Sequence, residues 1–316
     1  MEISEKIRSL IDEALQKFGL FEAEYELVRH NENITCKVTN GDKSYSLRIH
    51  SPVEGFNTDL LCRNYSSREY MQGEVDLLIY MRGNGFPELQ EPIAGSDGHC
   101  IQTMSDGSSA MLLRWLEGRT LTKEEGSHYA AEIGKMAARF HQASKGFKGT
   151  RILYDQELTD RLIEEIRTAA ESDHLTRTAA DICIGELGAI KNAISRLESQ
   201  SVSSGIIHAD LGFGNILLTE NGLIPIDLSL SGYGCYAQDA GMIQSNYKKE
   251  EDCLIVLDGF RQGGENVDKT DASLFLSLSV LLFICAQHAK YCNEQWFQDA
   301  VKRWCKDLFT HSVSSA

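Results

Sequence analysis

The 316-residue chain predicts an α+β fold of two lobes, the first β-rich and the second mostly helical. Three observations lead there. Apolar residues alternate through Ile34, Cys36 and Val38 and again through Tyr45, Leu47 and Ile49, with Asn40-Gly41 between the runs, a strong hairpin signal. From Thr122 onward the apolar period changes to that of a helix. A second β-rich stretch then returns at residues 206–228, inside the helical part. The expected division is an N-terminal lobe over residues 1–114, a connector at 115–118 and a C-terminal lobe over 119–316.

The elements follow in order. Ile3, Ile7, Leu10, Ile11, Leu15 and Phe18 recur at helical spacing before Gly19, so the chain opens with an amphipathic helix. Tyr25–Val28 reads as a strand ahead of the hairpin. Residues 51–72 are polar and irregular, and Glu74–Met81 has helical spacing until Gly83, Gly85 and Pro87 stop it. Asp97-Gly98 predicts a second hairpin, between Ile93–Ala94 and Cys100–Met104. Met111–Leu116 reads as a strand broken by Glu117-Gly118. In the second lobe Ile133, Met136, Ala137, Phe140 and His141 share one helix face. Leu158, Leu162, Ile163 and Ile166 share another, and Leu187, Ile190, Ile194 and Leu197 a third. Residues 201–204 form a polar break. Asn221-Gly222 predicts a turn between Ile216–Leu218 and Leu223–Leu228. The chain is helical again from Asp271, with Trp296, Phe297, Val301 and Trp304 expected to face inward.

Composition narrows the function. Hydrophobic residues make up 42% and charged residues 24%, which excludes a disordered or fibrous chain. The formal charge of −15 works against nucleic acid and anionic membrane as partners and suits cationic ones. Nine cysteines occur with no C-x-x-C and no zinc spacing, which fits free thiols in a reducing compartment. The N-terminus carries acid where a signal peptide has its apolar stretch. The apolar segment Leu274–Ala289 is too short to span a bilayer and is interrupted by Ser277, Ser279 and Gln287. The expectation is a soluble, cytoplasmic protein.

Residues 206–229, IIHADLGFGNILLTENGLIPIDLS, carry the chemistry. Asp210 follows His208 after one residue, Asn215 comes five residues after Asp210, and Asp227 twelve after Asn215. Phosphoryl transfer from a nucleotide needs a carboxylate to accept or orient the proton of the attacking hydroxyl. It also needs hard oxygen ligands that hold Mg2+ against the phosphates. On this pattern Asp210 is the catalytic or positioning carboxylate, Asn215 and Asp227 are the metal ligands, and His208 braces the loop. Reading Asp210 and Asn215 as turn formers and Asp227 as a strand-end cap leaves their joint spacing unexplained.

These motifs resemble the aminoglycoside phosphotransferase/choline kinase family, small-molecule kinases with a protein-kinase-like fold, over residues 25–240. The resemblance implies a nucleotide-binding hairpin without a glycine-rich loop, and no G-x-G-x-x-G occurs. It places Asn31-Glu32-Asn33 at that hairpin, where the Asn33 backbone would meet phosphate oxygens. It also puts Arg48, in SYSLRIH, where many relatives carry a phosphate-gripping Lys. Glu74 is the implied partner of Arg48, with Glu69 as the alternative. Leu113 and Trp115 belong to the implied hinge strand, whose backbone bonds adenine. Phe140-His141 ends a core helix, with His141 a partly buried structural residue. Asp239 is implied as a helix cap and brace of the catalytic loop. Gly232 and Gly234 would permit a tight path near phosphate or substrate, and Tyr233 and Tyr236 are open as substrate contacts. Asp155, Glu157, Asp160, Glu164 and Glu165 form either a solvated helix face or an acidic wall for a cationic substrate.

The implied activity is transfer of the γ-phosphate of ATP, or GTP, with Mg2+, to a hydroxyl of a small molecule. An amine, an amino acid, an aminoglycoside or a sugar would serve as acceptor. One alternative is a catalytically silent nucleotide-binding protein. Another is a protein kinase, against which the missing glycine-rich loop and the short span from Asp227 to Asp239 count.

Overall fold

A computed structural model describes residues 4–311 except 56, 58, 64, 201 and 202, so Ile3 and the first half of the expected break at 201–204 lie outside the described residues. The chain divides into two compact units. One comprises Met1–Thr58, Cys62–Glu117 and Phe147–Arg151, the other Asp59–Leu61, Gly118–Gly146 and Ile152–Ala316. The change at Glu117 and Gly118 falls inside the 115–118 connector. Two short segments belong to the opposite unit, which a contiguous division into 1–114 and 119–316 does not contain.

In the first unit, helix α1 (Glu5–Lys17) begins at Ser4, whose hydroxyl accepts the Ile7 N–H, and buries Leu10, Ile11, Ala14 and Leu15. Strands β1 (Glu24–His30), β2 (Asn33–Asn40) and β3 (Lys43–His50) form an antiparallel meander. Ile34, Cys36, Val38, Leu47 and Ile49 point to one face, where they share a core with Leu10, Ile11 and Leu15 of α1. The hairpin turn is Gly41-Asp42, one position later than Asn40-Gly41, because Asn40 pairs with Lys43. Gly41 takes a φ of 63°, which a residue without Cβ adopts at little cost.

The irregular stretch that follows contains the one-turn helix α2 (Asp59–Cys62). Helix α3 (Ser67–Gly83) starts earlier than Glu74, because Ser66 and Glu69 form a reciprocal capping box. Strands β4 (Pro92–Ile93), β5 (Ile101–Thr103) and β6 (Ser109–Arg114) complete the sheet, in the order β1-β2-β3-β6-β4 with β5 also on β6. The hairpin expected around Asp97-Gly98 does not form. β4 and β5 each pair with β6, and residues 94–100 loop out between them.

The second unit contains β7 (Arg119–Thr120), α4 (Lys123–Gly126), α5 (Ala130–Ala143), β8 (Ile152–Leu153), α6 (Gln156–Glu171) and α7 (Arg177–Glu198). It continues with β9 (Ser204–Ile207), β10 (Ile216–Thr219), β11 (Gly222–Pro225), β12 (Gly232–Cys235), α8 (Tyr236–Gln244), α9 (Glu250–Gln262), α10 (Lys269–Tyr291) and α11 (Gln295–Asp307). Two small sheets run β11-β10-β7 and β8-β12-β9. Thr219 pairs with Gly222, so this turn is Glu220-Asn221 rather than Asn221-Gly222.

Helix α9 has no counterpart in the expected elements, since Leu254 and Ile255 are exposed and blur its apolar stripe. It meets α5 backbone to backbone: a Cβ on Gly134 would lie 2.2 Å from the Val256 carbonyl oxygen. Helix α10 is 23 residues long and, by length and composition, apolar enough to cross a membrane, so the expectation that this segment is too short does not hold. Its apolar residues instead cover α6, α7 and α8, and Leu274, Phe275, Leu278, Leu281 and Ile284 are buried. In α11, Phe297 and Val301 face inward as expected, whereas Trp296 is 49% exposed. The eight cysteines whose side chains are described are all free thiols.

Candidate active site

β9 ends at Ile207, and the loop after it is held by its own backbone. The Asp239 carboxylate, in the first turn of α8, accepts the N–H of His208 at 2.8 Å and of Ala209 at 2.7 Å. Ala209 has a φ of 66°, a left-handed conformation that costs a residue with a Cβ about 1–3 kcal/mol and persists only where contacts impose it. The His208 ring is fully buried. Its Nδ1 accepts the Asp210 N–H at 3.3 Å, which leaves Nε2–H to donate to the Ile226 carbonyl at 3.1 Å. A neutral ring with its proton on Nε2 satisfies both contacts. His208 is thus a brace of the loop. Asp239 is an anchor rather than a cap, since the α8 N-cap position is Cys235.

The β10–β11 hairpin brings the remaining residues in. The Ile226 N–H donates to the Asn215 carbonyl at 2.9 Å, so Asn215 and Asp227 flank the open end of that hairpin. Asn215 Nδ2 donates to Asp210 Oδ2 at 2.7 Å and to the Asp210 carbonyl at 2.9 Å. Asp227 follows with φ 64° and ψ 73°, a second left-handed residue with a Cβ. All three side-chain-bearing residues are half-buried. One loop and one hairpin therefore present two carboxylates and an amide, all oxygen donors.

Behind the loop lies a buried charge cluster. His141 of α5 donates from Nε2 to Asp239 Oδ2 at 2.8 Å and from Nδ1 to Glu265 Oε2 at 2.7 Å. Both ring nitrogens face carboxylates, so both carry protons and the ring is an imidazolium. Burial alone would pull its pKa down; the bonds to Asp239 and Glu265 outweigh that and push it up to about 9. Burial likewise raises Asp239, but the bond to His141 leaves its pKa below the ordinary value. His141 is completely buried, not partly as the sequence suggested. Glu265 escapes sequence reasoning because it sits in an aperiodic loop.

Several other expectations change here. Tyr236 is buried and stacks on His141 with ring centroids 4.1 Å apart, so it packs against the cluster. Gly232 and Gly234 lie within β12 and serve close packing: a Cβ would come within 2.5 Å of the Ile152 carbonyl or 2.7 Å of the Ile207 side chain. The α6 acids do not form one wall. Asp155 caps the helix, Asp160 pairs with Lys191, Glu164 pairs with Arg167, and Glu165 accepts from His288 at 2.9 Å.

In the first unit, period-two alternation turns Arg48 to the face of β3 opposite Leu47 and Ile49. There its Nη1 donates to Glu74 Oε1 at 2.5 Å, with both residues buried. Glu69, the alternative partner, is engaged in the α3 capping box. Asn33 opens β2, paired with His50, and its Oδ1 lies 3.4 Å from His50 Nδ1. Asn31 and Glu32 form the bend before it. Leu113 lies in β6 between Ser46 of β3 and Pro92 of β4. The Trp115 N–H donates to the Ser44 carbonyl at 3.0 Å, and Lys37 Nζ sits 4.7 Å from its ring centroid.

Solved structures share this fold. A microcompartment-associated aminopropanol kinase has a TM-score of 0.74 at 18% identity, covering 96% of this chain and 100% of that one. An amicoumacin kinase in complex with AMP-PNP and Ca2+ has a TM-score of 0.68 at 17% identity, covering 97% of each chain. Among characterised proteins, amicoumacin kinase of Bacillus subtilis (strain 168) is 20% identical over 243 residues, 75% of this chain and 67% of that protein. The sequence matches the APH phosphotransferase enzyme family over residues 25–273, well over half its length, and the chain belongs to that family of small-molecule kinases acting on hydroxyl groups.

Proposed function

We propose that this protein transfers the γ-phosphate of ATP, in the presence of Mg2+, to a hydroxyl of a small amine-, amino acid-, aminoglycoside- or sugar-like molecule. The observation that carries this reading is the Asp210–Asn215 contact of 2.7 Å on a loop clamped through its backbone by Asp239. In the second unit, Asp210 accepts or orients the proton of the acceptor hydroxyl. Asn215 holds the Asp210 carboxylate with its amide nitrogen, so its amide oxygen is the atom that would serve a cation. Asn215 and Asp227 are the residues that would hold Mg2+, and their hard oxygens fit it.

Among the described residues no group of three or more His, Cys, Asp or Glu could hold a metal ion by itself. That also fits Mg2+, which is usually bound by one or two carboxylates together with substrate phosphates and water. When bound, the ion neutralises phosphate charge; the chain's own contribution is positioning.

In the first unit, Arg48 is the phosphate-gripping residue, pre-oriented by Glu74. The Asn33 backbone meets phosphate oxygens. The Leu113 and Trp115 backbone contacts adenine, with the Trp115 N–H already committed to Ser44. GTP is a second candidate donor.

The test is phosphate transfer from ATP and from GTP, with Mg2+, to a panel of hydroxylated amines, amino acids, aminoglycosides and sugars. Transfer to any of them supports the reading. No transfer, with the melting temperature still raised by Mg2+-ATP, would favour a binding-only protein.

Two variants probe the assigned roles. Arg48→Ala is expected to raise the nucleotide KM by about 10- to 100-fold, the worth of a charged hydrogen bond. Arg48→Lys should recover part of it, which separates phosphate contact from the loss of a buried partner for Glu74. An unchanged KM in a folded Arg48→Ala protein returns Arg48 to the scaffold. Asp227→Ala is expected to abolish the Mg2+-dependent part of nucleotide affinity, measured by calorimetry with and without Mg2+. Equal Mg2+ dependence in variant and wild type would remove Asp227 from the metal site.

A further inference from the structure

Two thiols meet in the second unit where α11 packs on α7. Cys183 of α7 is completely buried, and Cys305 of α11 is half-buried. The two helices approach with Cα atoms within 8 Å of each other. Cys305 Sγ lies 3.9 Å from the Ala179 carbonyl oxygen. Ala179 stands one turn before Cys183, so the same carbonyl accepts the Cys183 N–H within α7. Helical side chains lean toward the helix N-terminus, so the Cys183 thiol leans over the turn that Cys305 touches. There the two thiols are hydrogen-bonded to each other.

The pair is unequal. The bond from Cys183 lowers the pKa of Cys305, although burial opposes it. The same bond, and then burial, raise the pKa of Cys183. Cys305 is therefore the thiol that ionises, and it is also the one that solvent reaches. The other thiols near α10 and α9 are engaged elsewhere. Cys285, completely buried, donates to the Leu162 carbonyl of α6 at 3.7 Å. Cys253 donates to the Gln244 carbonyl at 4.0 Å and Cys292 to the Ala289 carbonyl at 3.7 Å.

We propose that Cys183 and Cys305 are a redox modification site, at which a hydroperoxide oxidises Cys305 and the pair closes to a disulfide that joins α7 to α11. The Cys305 thiolate attacks one peroxide oxygen. An S–O bond forms, the O–O bond breaks, and the leaving hydroxide takes a proton to become water (for an organic peroxide, the alkoxide becomes an alcohol). Cys305 is then a sulfenic acid. The Cys183 sulfur attacks the Cys305 sulfur, an S–S bond forms, the S–O bond breaks, and the departing hydroxide takes the Cys183 proton as a second water. Two thiols lose two electrons and two protons, and one peroxide is reduced. A small dithiol reopens the bond by exchange. The half-buried thiol is the attacking one and the buried thiol beside it is the resolving one. This inference goes beyond phosphoryl transfer and does not rest on it.

The experiment treats the folded full chain with an equimolar amount of hydrogen peroxide, blocks the remaining thiols with N-ethylmaleimide and maps the peptides by mass spectrometry. A linked Cys183–Cys305 peptide that dithiothreitol separates is expected. Cys183→Ala should remove the link and raise dimedone labelling of Cys305, the mark of a sulfenic acid with no resolving partner, by at least about tenfold. Cys305→Ser, at the half-buried position, should leave Cys183 unoxidised. No linked peptide from the folded chain, or a link that forms only in urea, overturns the proposal. So does a disulfide of Cys305 with any other cysteine, or dimedone labelling of Cys305 that is the same in Cys183→Ala and wild type. If Cys183→Ala fails to fold, oxidation of Cys183 in Cys305→Ser at the wild-type rate overturns it instead.

Discussion

Asp210→Asn is expected to lower phosphoryl transfer by about 10²- to 10⁴-fold, the usual worth of a general base, with little change in Mg2+-nucleotide affinity. The substitution is nearly isosteric and removes only the charge and the basicity. The loop itself does not depend on that charge, because its shape comes from Asp239 on the His208 and Ala209 amides and from His208 on Ile226. Asn215 Nδ2 can still donate to the new side-chain oxygen and to the backbone carbonyl it already contacts. The variant should therefore fold, bind nucleotide and fail to turn it over. Turnover with each active acceptor and calorimetric nucleotide affinity, measured side by side, check this. Retained turnover would take Asp210 out of the reaction. A parallel loss of affinity would instead assign it to the metal.

What could be read in the sequence was local in origin. The H-x-D-x-x-x-x-N spacing was legible because the loop and hairpin carrying it are contiguous, so sequence distance and spatial distance agree. The β2–β3 hairpin was legible for the same reason, although its turn moved by one residue. Pairing Asn40 with Lys43 sets Ile34, Cys36 and Val38 opposite Ile49, Leu47 and Tyr45. That match of three apolar pairs decides the register over the turn preference of Asn-Gly. In both hairpins the glycine keeps a positive φ, 63° at Gly41 and 99° at Gly222.

The non-local features were not legible. The β4 and β5 segments pair with β6 and not with each other, a choice made by an edge that no window of sequence contains. Glu265 lies 124 positions from the histidine it binds and carries no local signature. Helix α10 looked interrupted by polar residues because its environment, three other helices, is invisible in its own composition. His141 was recognised as structural, but its charge follows from the two carboxylates that tertiary packing brings to it.

That charge makes a second large effect. The stability of the protein is expected to fall as pH rises from about 6.5 toward 9. The folded pKa of His141, about 9, lies above its ordinary 6.5, so the folded chain holds this proton more tightly than the unfolded one. The stabilisation is complete below the unfolded value and is lost as pH climbs through the folded one. Its size is on the order of 3 kcal/mol for a fully buried group, worth several degrees in Tm for a chain of this length. Other groups near the ring do not produce the same slope. Asp239, held below its ordinary value by His141, stays ionised throughout this window, and Tyr236, pushed up to about 12, stays protonated. The buried thiols of Cys36 and Cys235, also near 12, begin to cost stability only above about pH 8.5, where unfolded thiols ionise. His141→Gln keeps a donor but removes the charge, leaving Asp239 and Glu265 buried without a cation. It should cost about 3–5 kcal/mol at pH 6.5, and considerably less at pH 9. Chemical denaturation of both proteins from pH 6 to 9 measures the difference directly. Curves that converge as pH rises place the proton on His141. Parallel curves would mean that the loop is clamped through neutral groups, and that Asp239 holds the His208 and Ala209 amides without help from an imidazolium.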